Sequence, residues 1–228
     1  MHITGFDKFS LLNFPEKMAC TIFTSGCNFR CPFCHNASIV ENKYQEYDEN
    51  EVLKFIKSRV GIIEGVCITG GEPLLQPDLK GFIKKIKDMG LAVKLDTNGY
   101  MPDKLKELID EGLIDYVAMD IKNCFEKYTL TCGTTCFDKN RIMKSIDILL
   151  NSKVEYEFRT TLVSEFHNLD DIDKICSIIK GAKRYYLQNF EDSGDIIGKD
   201  LHGFSEVKLK DYLLEAKQYL ACAELRGV

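Results

Sequence analysis

Short runs of apolar and β-branched residues alternate along the chain with longer segments in which apolar residues recur every three or four positions. A short apolar run between polar turns predicts a buried strand, whereas the three-to-four spacing predicts an amphipathic helix. Six strands are predicted on this pattern, at residues 19–24, 65–69, 92–96, 116–120, 155–162 and 184–189.

Helices are predicted between these strands and after the last of them. Asp48 with Glu51 three positions later has the pattern of a helix N-cap, and Pro102 suits the first turn of another helix. Apolar stripes at helical spacing also run through residues 79–86, 142–150, 172–179 and 212–220. We expect the terminal helix to extend as far as Cys222. Six strand–helix repeats indicate an α/β fold with a mostly parallel sheet, either doubly wound or curled into a partial, TIM-like barrel.

Length, composition and charge narrow the class of protein. The chain has 228 residues, 45% of them hydrophobic, which is enough to bury the core of a single domain spanning residues 1–228. The net charge of -5 and the pI of about 5.5 exclude a global basic field that would attract nucleic acid or anionic membranes. Residues 1–14 show no signal-peptide pattern, so we expect a cytoplasmic location and reduced cysteines, some of them metal ligands.

Three cysteines follow the first predicted strand directly. Cys27, Cys31 and Cys34 have the spacing C-x3-C-x2-C. A structural zinc site or a simple ferredoxin site closes with four protein ligands, so three thiolates are one ligand short. The spacing therefore indicates an iron–sulfur cluster with one iron open to a substrate or cofactor.

Glycine and charged residues gather at the carboxyl ends of the other predicted strands, the edge at which parallel α/β folds build their sites. They are Gly70, Gly71 and Glu72 after the second strand, Asp96 at the end of the third, Asp120 and Lys122 at the fourth, Arg159 on the fifth, and Gln188 and Asn189 at the sixth.

Each of these groups has a chemical interpretation and a structural one. Adjacent glycines let the backbone approach a ligand and Glu72 could accept from an ammonium group, although Gly-Gly-Glu-Pro also suits an ordinary turn. The charged residues of the third and fourth strands could hold hydroxyls, a carboxylate or a small cation, or could form a structural ion pair. Arg159 needs an anion, and Glu155 or Glu157 on its own strand could supply one. Their matching positions favour a single site.

The cysteine spacing, with Phe33 before the last cysteine and Gly70-Gly71-Glu72-Pro73 downstream, resembles the radical S-adenosylmethionine superfamily. The resemblance implies a partial (β/α)6 barrel in which the three cysteines hold a 4Fe-4S cluster. The amino and carboxylate groups of S-adenosylmethionine would chelate the fourth iron. The reduced cluster would cleave the sulfonium to methionine and a 5′-deoxyadenosyl radical, which abstracts a hydrogen atom.

Further segments resemble the glycyl-radical-enzyme activases within that superfamily, especially the group of anaerobic ribonucleoside-triphosphate reductase activating proteins. These segments are residues 34–36, 95–99, 119–122, 156–161 and 225–227. The resemblance implies a protein substrate, a glycyl radical enzyme such as an anaerobic ribonucleotide reductase or a pyruvate formate-lyase-like enzyme. It also implies a low-potential electron donor such as flavodoxin or ferredoxin.

The same resemblance assigns residues to the cofactor. Glu72 would bind the methionine ammonium, Asn36 would approach the adenine, and Phe33, Gly70 and Gly71 would complete the site.

The charged strand-end residues would bind the rest of the cofactor. Asp96 and Asp120 would lie near its ribose and carboxylate, with a monovalent cation as a further candidate. Lys122 and Arg159 would contact the carboxylate end.

Three more thiols follow the fourth predicted strand. Cys124, Cys132 and Cys136 are either an auxiliary metal site or incidental thiols, and a cysteine group at this place departs from the family pattern.

Three hypotheses about function follow. The favoured one is an activase that installs a glycyl radical on a partner protein. The alternative is a radical S-adenosylmethionine enzyme that acts on a small molecule, such as a 7-carboxy-7-deazaguanine synthase type. A non-catalytic iron–sulfur or zinc module is the third, and the missing fourth ligand opposes it.

Overall fold

One eight-stranded sheet, flanked by helices, organises the molecule. The computed structural model describes residues 1–41 and 43–227. The strands are β1 (Ile3–Ser10), β2 (Ala19–Thr24), β3 (Gly65–Gly70), β4 (Ala92–Thr97), β5 (Tyr116–Asp120), β6 (Glu155–Leu162), β7 (Tyr185–Asn189) and β8 (Ala223–Arg226). The helices are α1 (Ala37–Val40), α2 (Glu49–Ser58), α3 (Leu79–Lys87), α4 (Pro102–Asp110), α5 (Tyr128–Cys132), α6 (Lys139–Asn151), α7 (Leu169–Ile178) and α8 (Glu206–Tyr219).

The strands lie in sequence order across the sheet. Each strand from β2 to β8 runs parallel to its neighbour, and only β1 is antiparallel, to β2. The sheet is not closed between β1 and β8. The prediction of an α/β fold with a partial barrel is therefore confirmed. The six predicted strands are β2 to β7, each with ends within one residue of the prediction.

The two edge strands were not predicted, and the terminal helix, whose apolar stripe was predicted, ends before Cys222. β1 carries Asp7 and Lys8 on its exposed part, and β8 is only four residues long and contains Glu224 and Arg226. Edge strands are commonly short and charged, so they lack the apolar run that marks a buried strand. The terminal helix ends at Tyr219, so Cys222 lies in the turn before β8 and not in a helix.

The two faces of the sheet differ in polarity because successive side chains on a strand point to opposite faces. Val66, Leu95 and Val117 belong to the face that packs with the apolar stripes of the helices in one buried cluster. The other face carries charged residues in the interior of the partial barrel, at Lys94, Asp96, Asp120, Glu157 and Arg159. The charged side chains therefore point into the barrel, and the apolar core lies between the outer face of the sheet and the helices.

Helix starts agree with the sequence signals that predicted them. Asp48 caps α2 by accepting from the backbone amides of Asn50 and Glu51, and Pro102 opens α4. No helix in the described part of the chain is long and apolar enough to span a membrane.

Candidate active site

A single cavity lies at the carboxyl ends of the parallel strands and collects nearly all of the predicted site residues. It is bounded by the loop after β2, which we call the cysteine loop (residues 25–36), and by the ends of β3 to β7. Eleven predicted residues line it: Cys27, Cys31, Phe33, Cys34, Asn36, Gly70, Gly71, Asp96, Asp120, Lys122 and Arg159. Glu72 is the one residue assigned to the cofactor that lies outside the lining among those that the structure describes. Of the two polar residues at the end of β7, Gln188 lines the cavity and Asn189 does not.

The cysteine loop places its three thiols on the wall of this cavity. The Phe29 amide donates to Cys27 Sγ at 3.4 Å, and the Cys34 amide donates to the Cys31 carbonyl at 3.0 Å. Asn98, at the end of β4, places its Nδ2 3.9 Å from Cys27 Sγ and 2.9 Å from Asn28 Oδ1. The loop is therefore held both by its own turns and by a neighbouring strand end.

Two distant loops pack against the cysteine loop from outside. The turn after α5 contacts it, because the Arg30 amide donates to the Cys132 carbonyl at 2.8 Å. The segment after β7 contacts it too, because the Gly198 amide donates to the Pro32 carbonyl at 2.7 Å. Asp195 in that segment accepts from Ser38 Oγ at 2.7 Å, at the start of α1. These contacts fix a loop that has little regular structure of its own.

Burial and nearby charge act in opposite directions on the cysteine pKa values. Burial raises the pKa of Cys27 to about 12 and also raises that of Cys34. A hydrogen bond from the Cys132 side chain holds the pKa of Cys31 below its usual range. The Lys122 ammonium opposes the effect of burial on the pKa of all three cysteines, without outweighing it at Cys27 and Cys34. One cation therefore faces the whole trio of potential thiolate ligands.

The glycines after β3 serve close packing between two loops. A Cβ on Gly71 would lie 1.9 Å from the Gly26 carbonyl oxygen, and a Cβ on Gly70, which has a φ of +111°, would lie 2.3 Å from the Thr24 amide nitrogen. The Glu72 amide also donates to the Gly26 carbonyl at 2.8 Å. A side chain at Gly71 would push the cysteine loop away, and one at Gly70 would collide with the end of β2, which is a physical reason for Gly-Gly beyond an ordinary turn.

Glu72 lies beneath the cavity as a fully buried carboxylate. It accepts from the Asn98 amide at 2.7 Å, from Thr97 Oγ1 at 2.8 Å and from the Leu74 amide at 3.0 Å. Burial raises its pKa to about 7 against these three donors. Glu72 therefore connects the ends of β3 and β4, and its assignment to the methionine ammonium stays a prediction.

A network of buried charges forms the floor of the cavity. Arg159 Nε donates to Asp120 Oδ1 at 2.9 Å, and its Nη1 donates to Asp96 Oδ2 at 3.2 Å. Lys122 Nζ donates to the other Asp120 oxygen at 2.9 Å, and Lys94 pairs with Asp96. Arg159 thus pairs with carboxylates on two other strands and not with the glutamates of its own strand. Lys94 was not predicted, because a lysine within a strand gives no sign that it points into a barrel.

The network keeps its members charged and leaves one positive charge in excess. Burial would raise the pKa values of Asp96 and Asp120, but the nearby cations outweigh it and hold both below the usual range. Burial is likewise outweighed at Lys122, whose pKa is raised beside Asp120. Three cations face two carboxylates here, so the floor favours an added anion, such as a thiolate cluster or a carboxylate.

The remaining predicted residues border the cavity near its mouth. Asn36 Nδ2 donates to the Gly70 carbonyl at 3.0 Å, which joins the end of the cysteine loop to β3. The Phe33 ring lies 6.0 Å from Lys122 Nζ and 6.0 Å from the Phe166 ring centre. Asn98, Thr161 and Gln188 also contribute to the lining.

The three additional cysteines do not come together. Cys124 is buried, with its Sγ 3.3 Å from Asp171 Oδ1, and Cys136 is exposed. Cys132 is buried beside Cys31 instead. The structure thus gives no support to an auxiliary metal site at these three cysteines. It places Cys132 next to Cys31 of the cysteine loop.

The residues present fit an iron–sulfur cluster. Three thiols line one cavity, and Asn28 Nδ2 is a buried donor without an acceptor among the residues that the structure describes. A cluster sulfide is an acceptor that such a donor can use. No three potential ligands within residues 1–41 and 43–227 are arranged to hold a single metal ion.

The fold and this cavity define an α/β-barrel enzyme with a three-thiol site at its strand ends, and comparison with known proteins agrees. The Radical SAM superfamily model matches residues 21–179. A "Putative glycyl-radical enzyme activating enzyme" of Methanocaldococcus jannaschii is 34% identical over 99% of this chain and 96% of its own length. The 7-carboxy-7-deazaguanine synthase of Thermoplasma acidophilum is 37% identical over 46% of this chain and 48% of that enzyme.

A solved structure shows the same fold. Streptococcus suis SuiB, bound to its precursor peptide SuiA, has a TM-score of 0.73 and 14% identity to this chain. The match covers 91% of this chain and 48% of SuiB, so the chain spans about half of that protein. The chain belongs to the Radical SAM superfamily, as its cysteine spacing predicted.

Proposed function

We propose that this radical SAM enzyme activates a glycyl radical enzyme by abstracting a hydrogen atom from a glycine of that protein. The observation that carries the proposal is the match along almost the whole chain to a relative named for this activity. The sheet left open between β1 and β8 supports it, because a protein loop needs a wider entrance than a small molecule. We further propose that residues 1–228 form one domain, of which residues 42 and 228 lie outside the described part.

We propose Cys27, Cys31 and Cys34 as the ligands of a 4Fe-4S cluster. When bound and reduced, the cluster with S-adenosylmethionine would supply a 5′-deoxyadenosyl radical. The chain's part is to hold the thiols on one wall, to place the Lys122 ammonium opposite them and to shield the site from water.

The cofactor would occupy the floor and mouth of the same cavity. The positive charge in excess around Arg159 and Lys122 suits the methionine carboxylate, and Asn36 at the mouth suits the adenine. Asp96 and Asp120 line the same cavity and would lie near the ribose or a monovalent cation, although both oxygens of each already accept from Lys94, Arg159 or Lys122. For the methionine ammonium, Glu72 is the proposed acceptor.

Electron paramagnetic resonance on anaerobic mixtures tests this function. Reduced protein with S-adenosylmethionine and candidate glycyl radical enzymes from the same source should produce the glycyl doublet on one of them. The Cys31→Ala variant should produce none, while the exposed Cys136→Ala control should match wild type. Competent cleavage of S-adenosylmethionine without a doublet on any candidate would contradict the activase role.

A second candidate function is catalysis on a small molecule. The similarity to 7-carboxy-7-deazaguanine synthase over about half of each chain favours it. The charged interior of the barrel below the cavity, which includes Glu157 and Arg226, offers polar groups for such a substrate. This function predicts turnover with no protein partner present.

A further inference from the structure

The turn after β4 packs on the first cysteine of the cysteine loop. The Asn98 side chain is buried, lines the cavity and contacts both Cys27 and Asn28. Two residues further on, the ring centre of Tyr100 lies 5.3 Å from that of Phe29. Three successive residues of the cysteine loop therefore meet one turn at a strand end.

Two hydrogen bonds that do not involve the cysteine loop fix the orientation of Asn98. Its backbone amide donates to Glu72 Oε2 at 2.7 Å, which holds the main chain of the turn. The Tyr100 backbone amide donates to Asn98 Oδ1 at 3.0 Å, so the side-chain oxygen faces its own turn. The Nδ2 group must then point the other way, toward the cysteine loop.

The Nδ2 group of Asn98 has two acceptors on the cysteine loop, one for each of its protons. Asn28 Oδ1 lies 2.9 Å from Nδ2, and Cys27 Sγ lies 3.9 Å from it. The Phe29 backbone amide donates to the same sulfur at 3.4 Å. Within residues 1–41 and 43–227, Asn98 is the one side chain whose N–H reaches a sulfur of the three proposed cluster ligands.

A hydrogen bond to this sulfur would strengthen when Cys27 binds iron. Cysteine binds a metal as its thiolate, and hydrogen bonds to a charged acceptor are stronger than those to a neutral one. Donors at the sulfurs of a cluster stabilise its reduced, more negative state, and they therefore raise its reduction potential.

We propose that Asn98 is a positioning residue that donates to the Cys27 sulfur and raises the reduction potential of the cluster. The inference rests on the proposed 4Fe-4S cluster at the three cysteines. Asn98 would act through a ligand of the cluster and not on the substrate. If Asn98 served only to tie β4 to the cysteine loop, its loss would change how much cluster the loop holds but not the potential of that cluster.

The two test variants remove the N–H donor in different ways. Asn98→Ala deletes the side-chain amide. Asn98→Asp keeps its shape and can still accept from the Tyr100 amide, but it presents a carboxylate oxygen to Cys27 in place of an N–H. Both variants keep the backbone hydrogen bond to Glu72.

The matched control also loses one hydrogen bond that supports the cysteine loop, but none that reaches a sulfur. In Ser38→Ala, the 2.7 Å bond from Ser38 Oγ to Asp195 is removed, while the backbone amide of residue 38 can still donate to Asp195. This variant therefore shows the effect of a loosened loop alone.

The measurement is a dithionite titration of the reconstituted cluster without S-adenosylmethionine, followed by electron paramagnetic resonance. In Asn98→Ala, the equilibrium constant for one-electron reduction should fall about tenfold, which makes the potential about 59 mV more negative. Asn98→Asp should shift it at least as far, because the carboxylate adds a negative charge. Ser38→Ala should keep the wild-type potential.

An unchanged potential in Asn98→Ala, or an equal shift in Ser38→Ala, would overturn the proposal. If Asn98→Ala does not fold or take up a cluster, Asn98→Asp decides in the same way. The titration needs neither cofactor nor partner, so a wild-type cluster that fails to cleave S-adenosylmethionine would contradict the proposed function and leave the measured shift valid. Wild type that holds no 4Fe-4S cluster after reconstitution would overturn both.

Discussion

At the scale of single residues, the buried carboxylates have distinct environments. Asp96 and Asp120 lie beside cations that keep them ionised, whereas Glu72 has only neutral donors and a pKa raised to about 7. Glu72 is therefore the carboxylate whose charge changes near neutral pH. The sequence could identify all three as site residues, but it could not separate their environments.

The first prediction concerns the pH dependence caused by Glu72. A carboxyl group whose pKa is raised on folding stabilises the fold below its unfolded pKa, and that contribution is lost as pH rises through the folded pKa. The free energy of unfolding should therefore fall between pH 5 and pH 8, by up to about 3 kcal/mol from this group. Glu72→Gln should be less stable at pH 5 by about 1–3 kcal/mol, because an amide cannot satisfy three donors.

Urea denaturation across this pH range checks the prediction. The difference between wild type and Glu72→Gln should narrow as pH rises. Glu51→Gln, an exposed control, should follow wild type at every pH. A constant difference between wild type and Glu72→Gln would contradict the raised pKa.

The second prediction concerns Arg159. Replacing Arg159 by methionine leaves Asp96 and Asp120 buried without their shared partner, which should cost about 3–5 kcal/mol of unfolding free energy. Arg184→Met removes an exposed pair with Glu155 and should cost less than about 1 kcal/mol. Equal losses of unfolding free energy in the two variants, measured by thermal or chemical denaturation, would contradict the stabilising role given to Arg159.

At the scale of elements, the cysteine loop depends on segments far away in sequence. Gly133, directly after α5, has a φ of +58° and packs on the Arg30 carbonyl. The segment after β7 contributes the contacts of Asp195 and Gly198. A sequence pattern identifies the loop by its cysteines, but these supports leave no local signal because each is a contact between positions distant in sequence.

The third prediction tests the support at Gly133. A Cβ there would lie 2.1 Å from the Arg30 carbonyl oxygen, so Gly133→Ala should displace the cysteine loop and lower iron and sulfide per chain after reconstitution. Gly112→Ala is the control, because Gly112 has a similar φ of +66° but nothing within 4 Å. Both variants carry the backbone cost of about 1 kcal/mol, and only Gly133→Ala should lose iron. Similar iron content in the two would contradict the support.

The predicted strands show where sequence reasoning succeeds at this scale. β2 to β7 are buried and rich in β-branched residues, so periodicity locates them to within one residue. The edge strand β8 is different, because its Arg226 points inward to buried Glu157 at 2.7 Å. Such a strand is held by its pairing with β7 and by one ion pair to a buried carboxylate. Neither feature appears in the sequence as an apolar run.

At the scale of the whole molecule, a parallel sheet brings residues from six strands to one edge. That rule predicted that the glycine and charged residues at the ends of β3 to β6 would meet the cysteines at one edge, whereas Phe33 and Asn36 were assigned to the site by the family resemblance. The rule does not give pairing within the site. Lys94 with Asp96, and Arg159 across two carboxylates, follow from strand register and inward direction, which only the folded chain fixes.

In the proposed function, two tasks would lie at different places. The strand ends would hold the cofactor, and the open sheet would leave room for a substrate loop.

The central claim is that the hydrogen atom taken by this enzyme comes from a glycine of a partner protein. The measurement is mass spectrometry of 5′-deoxyadenosine formed with a candidate glycyl radical enzyme that contains glycine deuterated at its α-carbon. The account predicts one deuterium in the 5′-deoxyadenosine and a glycyl signal on the partner whose doublet splitting is lost. Unlabelled 5′-deoxyadenosine formed alongside a glycyl signal, or formed at the same rate without the partner, would contradict it.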